Sequence, residues 1–415
     1  MYAPILDSIE SMILDSKKKS IVDELLNRRV DTIWPSRKAL QEALISGKRL
    51  SFYVGIDPTA PSLHLGHTIS LLWLRSLQEL GHKVILLVGD FTGRIGDPTD
   101  KLASRKEMKA GEIVKNAASY QAQASKVLSF SGRNPAELKY NSSWLKKLTL
   151  EEIIGIGRLV TVQQLIGRDM FQERLKKGKP IYLHEFLYPV LQGYDSLALG
   201  VDGEVGGRDQ LFNMLVGRDL MQSMDGRGKF VVALKLLEDP ESGKKMSKTD
   251  DSAIWLSDPP QDLYGQVMRL PDSLIFTCFE LCTTLSMTEV VKLKENKGRG
   301  QSLRDAKAEL ARAIVELHHG KVPAKDAERY FSTVFRKKEL PKNMPFLTPG
   351  KGSEMIADFL LSHSLVLSRS QAKRLVDQGG VRVDDKVIKD PRATLPLTAK
   401  VLQIGKRRFY RLKAK

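Results

Sequence analysis

The spacing of apolar residues divides the chain into stretches of helical and strand period. In residues 1–48, Ile5, Ile9, Met12 and Ile13 share one helical face and Ala39, Leu40, Ala43 and Leu44 another, which predicts amphipathic helices. Ser51–Ile56 is a short apolar run with aromatic and β-branched residues, suited to a buried strand. Asp57-Pro58-Thr59 and Pro61-Ser62 break it, and Thr68–Leu80 then carries Ile69, Leu72, Trp73, Leu77 and Leu80 at helical intervals. Lys83–Val88 is a second apolar run, followed by a Gly-rich loop over 89–106. Strand, helix, strand in this spacing predicts a right-handed parallel βαβ unit, with ligands at the carboxyl ends of the strands.

Further along, 107–180 reads as a lysine-rich helical insertion, in which 137–148 supplies a strand and a helix start capped by Ser142 or Ser143. A strand-like run at 230–237 precedes a helical region from Pro259 to about Leu340. There 303–320 is amphipathic, closed by Gly320, and His318 and His319 are expected as cationic terminal residues. Residues 341–352 are rich in Pro and Gly and read as a linker. Residues 353–415 run helix, turn, helix, then Gly379-Gly380 into short strands. The expected domains are therefore 1–48, 49–240 with its insertion, 241–340, and 353–415 after the linker.

Composition adds a partner. The 415 residues, with 42% hydrophobic and 28% charged side chains, suffice for two or three ordinary globular domains. The net charge of +17 is not ordinary, and it calls for a polyanion. Residues 351–415 hold 15 Lys and Arg against 6 Asp and Glu, so +9 of that charge sits in under a sixth of the chain. Arg369, Lys373 and Arg374 lie on or at the start of one helix, followed by Arg382, as a phosphate-binding cluster would. The alternative is a solvated basic tail, against which stands the helix-and-strand patterning. Cys278 and Cys282 exclude a disulfide framework and fit a reducing cytoplasm; core thiols suit them better than metal ligands. The first twenty residues lack the pattern of a signal peptide, and no run of about 18 apolar residues is present to span a membrane.

Four stretches carry candidate chemistry. His64 and His67 flank a helix start, where unpaired backbone N–H groups and the helix dipole attract phosphate; the bland reading is a pair of capping histidines. Gly66 between them permits close backbone approach. In the 89–106 loop Asp97 suits a substrate ammonium, and Lys101 and Arg105 are spaced to meet phosphates, though a solvated turn has the same composition. On the predicted helix 183–199, Tyr188, Gln192 and Asp195 fall at i, i+4 and i+7, one polar face among Leu and Val. Such a face can line a pocket for an amine at one end and a hydroxyl at the other; the alternative is an amphipathic surface helix. Lastly, GKKMSKTDD (residues 243–251) is a basic loop able to close over phosphates.

These stretches resemble class I aminoacyl-tRNA synthetases, and within them the bacterial tyrosyl-tRNA synthetase family. HLGH resembles the first class signature, Tyr53-x-Gly-x-Asp-Pro-Thr59 its tyrosyl version, and KMSKT the second signature, with Thr249 for a final Ser. The resemblance implies a Rossmann-like parallel-sheet catalytic domain, an all-helical anticodon-recognition domain and a small α+β RNA-binding domain of the ribosomal protein S-four type. It implies ATP-dependent activation of L-tyrosine, transfer to tRNA(Tyr), magnesium arriving with ATP and no dedicated metal site, and a homodimer.

Carried over by position, Tyr53 and Asp195 meet the phenolic hydroxyl, and Asp97, Tyr188 and Gln192 the amino group. Gly206, Asp209 and Gln210 match Gly-Gly-x-Asp-Gln, which contacts ribose and substrate, and Asp57, Thr59, Gly66 and Lys248 join the nucleotide set. His64, His67, Lys101, Arg105, Lys245 and Lys248 stabilise the phosphates. Glu204 departs from the family's usual Gln, and Arg208 replaces a small hydroxyl residue. The competing readings are a tryptophan-type adenylating enzyme and a non-catalytic RNA-binding paralogue.

Overall fold

The computed structural model describes residues 18–99, 110–243, 253–297, 302–336, 344–349, 354–366, 368–396, 398–405 and 408–413. The expected helical face at Ile5–Ile13 and the candidates Lys101, Arg105, Lys245 and Lys248 lie outside these. The chain forms two compact units, one of residues up to 258 with 270–319, the other of 259–269 with 320–415. The stretch 241–340, expected as one helical domain, is thus divided between them.

The first unit is built on a six-stranded sheet of β1 (Val30–Trp34), β2 (Ser51–Ile56), β3 (Lys83–Val88), β4 (Glu137–Tyr140), β5 (Gly203–Gly207) and β6 (Phe230–Leu234), in the order β1-β6-β5-β2-β3-β4. Strands β2 to β6 run parallel, and β1 is antiparallel on the edge. The chain winds from β2 through β3 to β4, then crosses back to β5 and β6, so strand order reverses between β2 and β5. Such a reversal opens a crevice at the carboxyl ends of those two strands.

β2 and β3 are strands because both faces are covered: Phe52, Val54, Val84, Leu86 and their neighbours are buried. The crossover helix His67–Glu79 buries Ile69, Leu72, Trp73 and Leu77 against the sheet, each burial contributing about 1.5–3 kcal/mol. Trp73 meets Phe52 edge-on at 5.6 Å. Gly203 is required there, since a Cβ would sit 2.0 Å from the Phe52 ring.

Two expectations need correction. Residues 1–48 are not helical throughout, for between helices at 18–27 and Arg37–Ile45 the chain adds β1 to the sheet edge. Val-Asp-Thr-Ile-Trp is too short to declare a period of two, and its pairing partner β6 lies some 200 residues away. His318 is likewise not a cationic helix end. It continues the buried stripe Leu310, Ile314 of the Leu303–His319 helix, and its Nε2 lies 3.1 Å from Thr68 Oγ1. Burial, with His319 beside it, pushes its pKa down to about 4, so the ring is neutral.

The second unit carries a five-stranded sheet, β7 (Phe346–Leu347), β8 (Val381–Val383), β9 (Lys386–Val387), β10 (Val401–Ile404) and β11 (Arg408–Leu412), ordered β7-β11-β10-β8-β9. Asp384 and Asp385 take positive φ (46° and 63°) in the two-residue turn between β8 and β9, a conformation Asp tolerates. Helices Ile356–Ser362 and Arg369–Asp377 complete a core of Ile356, Phe359, Leu360, Val376, Val381 and Leu402, drawn wholly from this segment. The expected linker contributes β7, which pairs with Arg411 and Leu412.

Candidate active site and nucleic-acid interface

All candidates of the first unit within the described residues line one cleft: Tyr53, Asp57, Thr59, His64, Gly66, His67, Asp97, Tyr188, Gln192, Asp195, Gly206, Asp209 and Gln210. It opens where β2 and β5 end, as the topology requires.

At the HLGH segment the backbone decides how the imidazoles work. Nδ1 of His67 accepts the His64 N–H at 3.0 Å, and Nδ1 of His64 accepts the Gly66 N–H at 3.1 Å. With Nδ1 an acceptor, the neutral ring carries its hydrogen on Nε2, so each histidine offers an N–H donor. The rings stack with centroids 3.8 Å apart. The expectation of unpaired helix-start N–H groups is corrected: those of His67, Thr68 and Ile69 bond to the carbonyls of His64, Leu65 and Gly66. What the segment could offer an anion is the two Nε2–H groups and the helix dipole. Leu63–Leu65 also pairs with Ile254–Leu256 (Leu65 N–H to Ile254 O, 2.8 Å; Leu256 N–H to Leu63 O, 2.9 Å). The residues just after the KMSKT stretch are thereby fastened to HLGH.

Asp57 joins the nucleotide candidates to the amino-acid candidates. It accepts from Thr92 Oγ1 at 2.7 Å and from the Tyr188 hydroxyl at 2.9 Å. Gly89 permits this approach, since a Cβ there would lie 1.8 Å from Asp57 Oδ1. Burial and the Asp57 carboxylate push the Tyr188 phenol well up, so it stays a donor. Thr59 N–H closes onto Asp57 O at 2.8 Å.

The helix Leu183–Leu199 presents Tyr188, Gln192 and Asp195 to the cleft, as its period indicated. Asp195 is buried, which pushes its carboxyl well up; Trp144 Nε1 (2.8 Å) and Asn141 Nδ2 (3.2 Å) donate to it and pull the other way. A buried acceptor with room for a further donor suits a ligand O–H. Tyr53 is fully buried beside it, its hydroxyl 2.8 Å from Ser196 Oγ, and burial and the nearby Glu204 hold the phenol protonated. At the other end Asp97 accepts from Thr99 N–H (2.9 Å) and Gln210 Nε2 (2.5 Å), while burial raises its carboxyl. Gly206 and Asp209 lie where β5 passes through the short turn Arg208–Gln210 into the helix Leu211–Asp225.

The residues behind these were not singled out from sequence: Asn141, Trp144, Ser196, Asn213 and Lys229. Asn141, not Ser142 or Ser143, occupies the N-cap, and its amide turns to Asp195 and Thr92 instead of capping. Ser142 donates to Asp90.

In the second unit, Lys373, Arg374 and Arg382 are exposed on the Arg369–Asp377 helix and β8. Arg369 is exposed too and pairs with Asp358 at 2.7 Å, a surface ion pair too weak to withhold it from a phosphate.

Comparison with known proteins agrees with this geometry. The family model described as tRNA synthetases class I (W and Y) matches residues 46–336, and the S4 domain model matches 356–398. The tyrosine–tRNA ligase of Moorella thermoacetica is 40% identical over 393 residues, 94% of either chain. That of Thermotoga maritima is 39% identical over 392 residues, 94% of this chain and 96% of its own. Among solved structures, a C-terminally truncated mitochondrial tyrosyl-tRNA synthetase of Coccidioides posadasii superposes with a TM-score of 0.61 at 26% identity, covering 79% of this chain and all of that one. With a family match over most of its length and near-full-length relatives at about 40% identity, the chain belongs to the class I tRNA synthetases of the tryptophan and tyrosine group, and carries an S4 domain at its C-terminal end.

Proposed function

We infer that the chain is a tyrosine–tRNA ligase, joining L-tyrosine to ATP as tyrosyl-adenylate with release of pyrophosphate and then passing tyrosyl to the terminal ribose of tRNA(Tyr). The observation that carries this is the Leu183–Leu199 helix: Asp195 stands at one end of its polar face and Gln192 and Tyr188 at the other, in the cleft that holds His64 and His67. In this reading Asp195 and Tyr53 meet the phenol, and Asp97, Tyr188, Gln192 and Gln210 hold the ammonium. Phenylalanine would leave the Asp195 carboxylate short of a donor, at a cost of about 1–3 kcal/mol or more.

The tyrosine carboxylate attacks the α-phosphate while Asp57, Thr59, Gly66, Gly206 and Asp209 hold the nucleotide. The Nε2–H groups of His64 and His67, with the cations of Lys101, Arg105, Lys245 and Lys248, would stabilise the charge that develops on the phosphates. ATP enters as its magnesium complex, the ion held by the phosphates. Arg369, Lys373, Arg374 and Arg382 would take RNA phosphates.

The exposed apolar side chains Leu150, Ile154, Val162 and Leu183 of the catalytic unit suit burial against a second copy of the chain. No described helix is long and apolar enough to cross a membrane, and the free, buried thiols of Cys278 and Cys282 suit the cytoplasm. Pyrophosphate exchange into ATP with tyrosine, phenylalanine and tryptophan offered separately is the test. Exchange with tyrosine alone is expected. Exchange with tryptophan would point to the tryptophan enzymes, and none at all to an RNA-binding paralogue.

A further inference from the structure

Glu204, in the lining of the cleft, is paired with a buried lysine that has no part in the chemistry above. Lys229 is 0% exposed and Glu204 2%, with the ammonium against Glu204 Oε2 and Ser196 Oγ. Burying two charges costs several kcal/mol each, and an apolar pair of equal volume is often no less stable. Stability alone therefore does not account for the pair.

Its place in the hydrogen bonding gives a reason. A carboxylate only accepts, so Glu204 Oε1 takes the amide hydrogen of Gln192 Nε2, at 3.1 Å. That turns the Gln192 carbonyl oxygen the other way, where it accepts from Asn213 Nδ2 at 3.0 Å. Asn213 gives its second amide hydrogen to Gln210 Oε1, also at 3.0 Å, and Gln210 Nε2 donates to Asp97. The result is a row of three amides between two carboxylates, and the acceptor-only ends leave each amide one orientation. Asn213 is fully buried and donates both ways, its Oδ1 without a partner among the described residues. Gln192 and Gln210 both line the cleft, and each carbonyl oxygen keeps a second lone pair. A flipped Gln192 would bring NH2 where an ammonium has to bind.

We propose that Glu204, paired with Lys229, is a specificity-determining positioning residue that sets the direction of this row and so makes the pocket select a ligand bearing an ammonium group. This rests on the reading that Gln192 and Asp97 receive the tyrosine ammonium. In Glu204→Gln the new amide turns its oxygen to Lys229, which leaves NH2 facing Gln192 and reverses it.

The test is equilibrium binding of three ligands to the full-length protein: tyrosine, tyramine, which lacks the carboxylate, and hydroxyphenylpropionate, which lacks the amine. Glu204→Gln should weaken tyrosine and tyramine at least about tenfold and leave hydroxyphenylpropionate nearly unchanged. The double variant Glu204→Met/Lys229→Met keeps the volume and leaves neither a buried charge nor an acceptor beside Gln192; melting temperature reports its fold, and it decides the matter if the single variant does not fold. It too should lose amine selectivity, since no carboxylate orients Gln192. A folded variant that keeps the wild-type ratio of tyramine to hydroxyphenylpropionate affinity would overturn the proposal, as would equal loss for all three ligands, the mark of a merely structural pair. Wild-type protein that binds hydroxyphenylpropionate as tightly as tyrosine would instead refute the underlying placement of the ammonium.

Discussion

Replacing Trp144 by Phe should cost tyrosine recognition from a position that no ligand need touch. Trp144 packs beside Tyr53, Ile85, Leu87 and Val201, and Phe preserves most of that apolar contact. What it removes is the Nε1–H donated to Asp195 Oδ1 at 2.8 Å. Burial already pushes the Asp195 carboxyl well up, and the Trp144 hydrogen bond is the foremost influence holding it down, ahead of Asn141. A hydrogen bond to a charged group contributes about 1.5–3 kcal/mol, so kcat/KM for tyrosine should fall roughly tenfold to a hundredfold at neutral pH. The sign with pH follows from the protonation state required. Asp195 accepts the phenolic hydrogen as a carboxylate, and losing a donor favours its protonated form further. The acid limb of the kcat/KM profile should therefore move to higher pH in the variant, and the deficit should shrink as pH rises. Pyrophosphate exchange with tyrosine over a pH series measures both effects, and equilibrium binding of phenylalanine is the control. Phenylalanine, lacking the hydroxyl, should be affected little. An unmoved acid limb, or equal losses for both amino acids, would refute the role given to Asp195.

Three further outcomes are expected. The fold should lose up to roughly 3 kcal/mol between pH 6.5 and about 4, because unfolded His318 binds a proton at its ordinary pKa while the buried ring stays neutral; His318→Gln should flatten that part of the melting-temperature curve, and equal acid slopes would refute it. Ending the chain at residue 343 removes β7 with the rest of its sheet, and the separate core of that segment should leave tyrosine-dependent exchange intact while the salt dependence of tRNA affinity becomes shallower; identical slopes would mean the basic residues are only solvated surface. Ile154→Lys should give a monomer by sedimentation if a second copy covers the apolar patch, whereas an unchanged mass would reject that occupant.

What could be read from sequence was whatever depends on neighbours along the chain. The run Ser51–Ile56, the break at Asp57-Pro58 and the stripe from Ile69 to Leu77 each announce themselves within a few residues, and so they foretell β2, its loop and its helix. Tyr188, Gln192 and Asp195 share a face because an α-helix repeats every 3.6 residues, which makes a polar face among leucines visible from their spacing alone. β1 is not legible in this way, because five residues at an edge take their conformation from pairing with β6. His318 could have been placed, since Leu310, Ile314 and His318 fall at i, i+4 and i+8; its type suggested a charged helix end, and its spacing was the better guide.

The supporting layer of the site was harder to read for a different reason. Asn141, Trp144, Asn213 and Lys229 are scattered over some 90 residues of chain, and each is defined by the functional group it turns toward, not by its own surroundings in the sequence. Glu204 was visible as a departure from the family pattern, yet a departure at one position carries no sign until its compensation is found. That compensation is Lys229, 25 residues on, at the entry to β6, where parallel pairing with β5 sets the two chain segments side by side. A buried acid and a buried base that answer each other across adjacent strands are a tertiary fact. It follows that substituting either partner singly should destabilise the fold more than substituting both by apolar residues, since one unpartnered buried charge costs more than an uncharged pair.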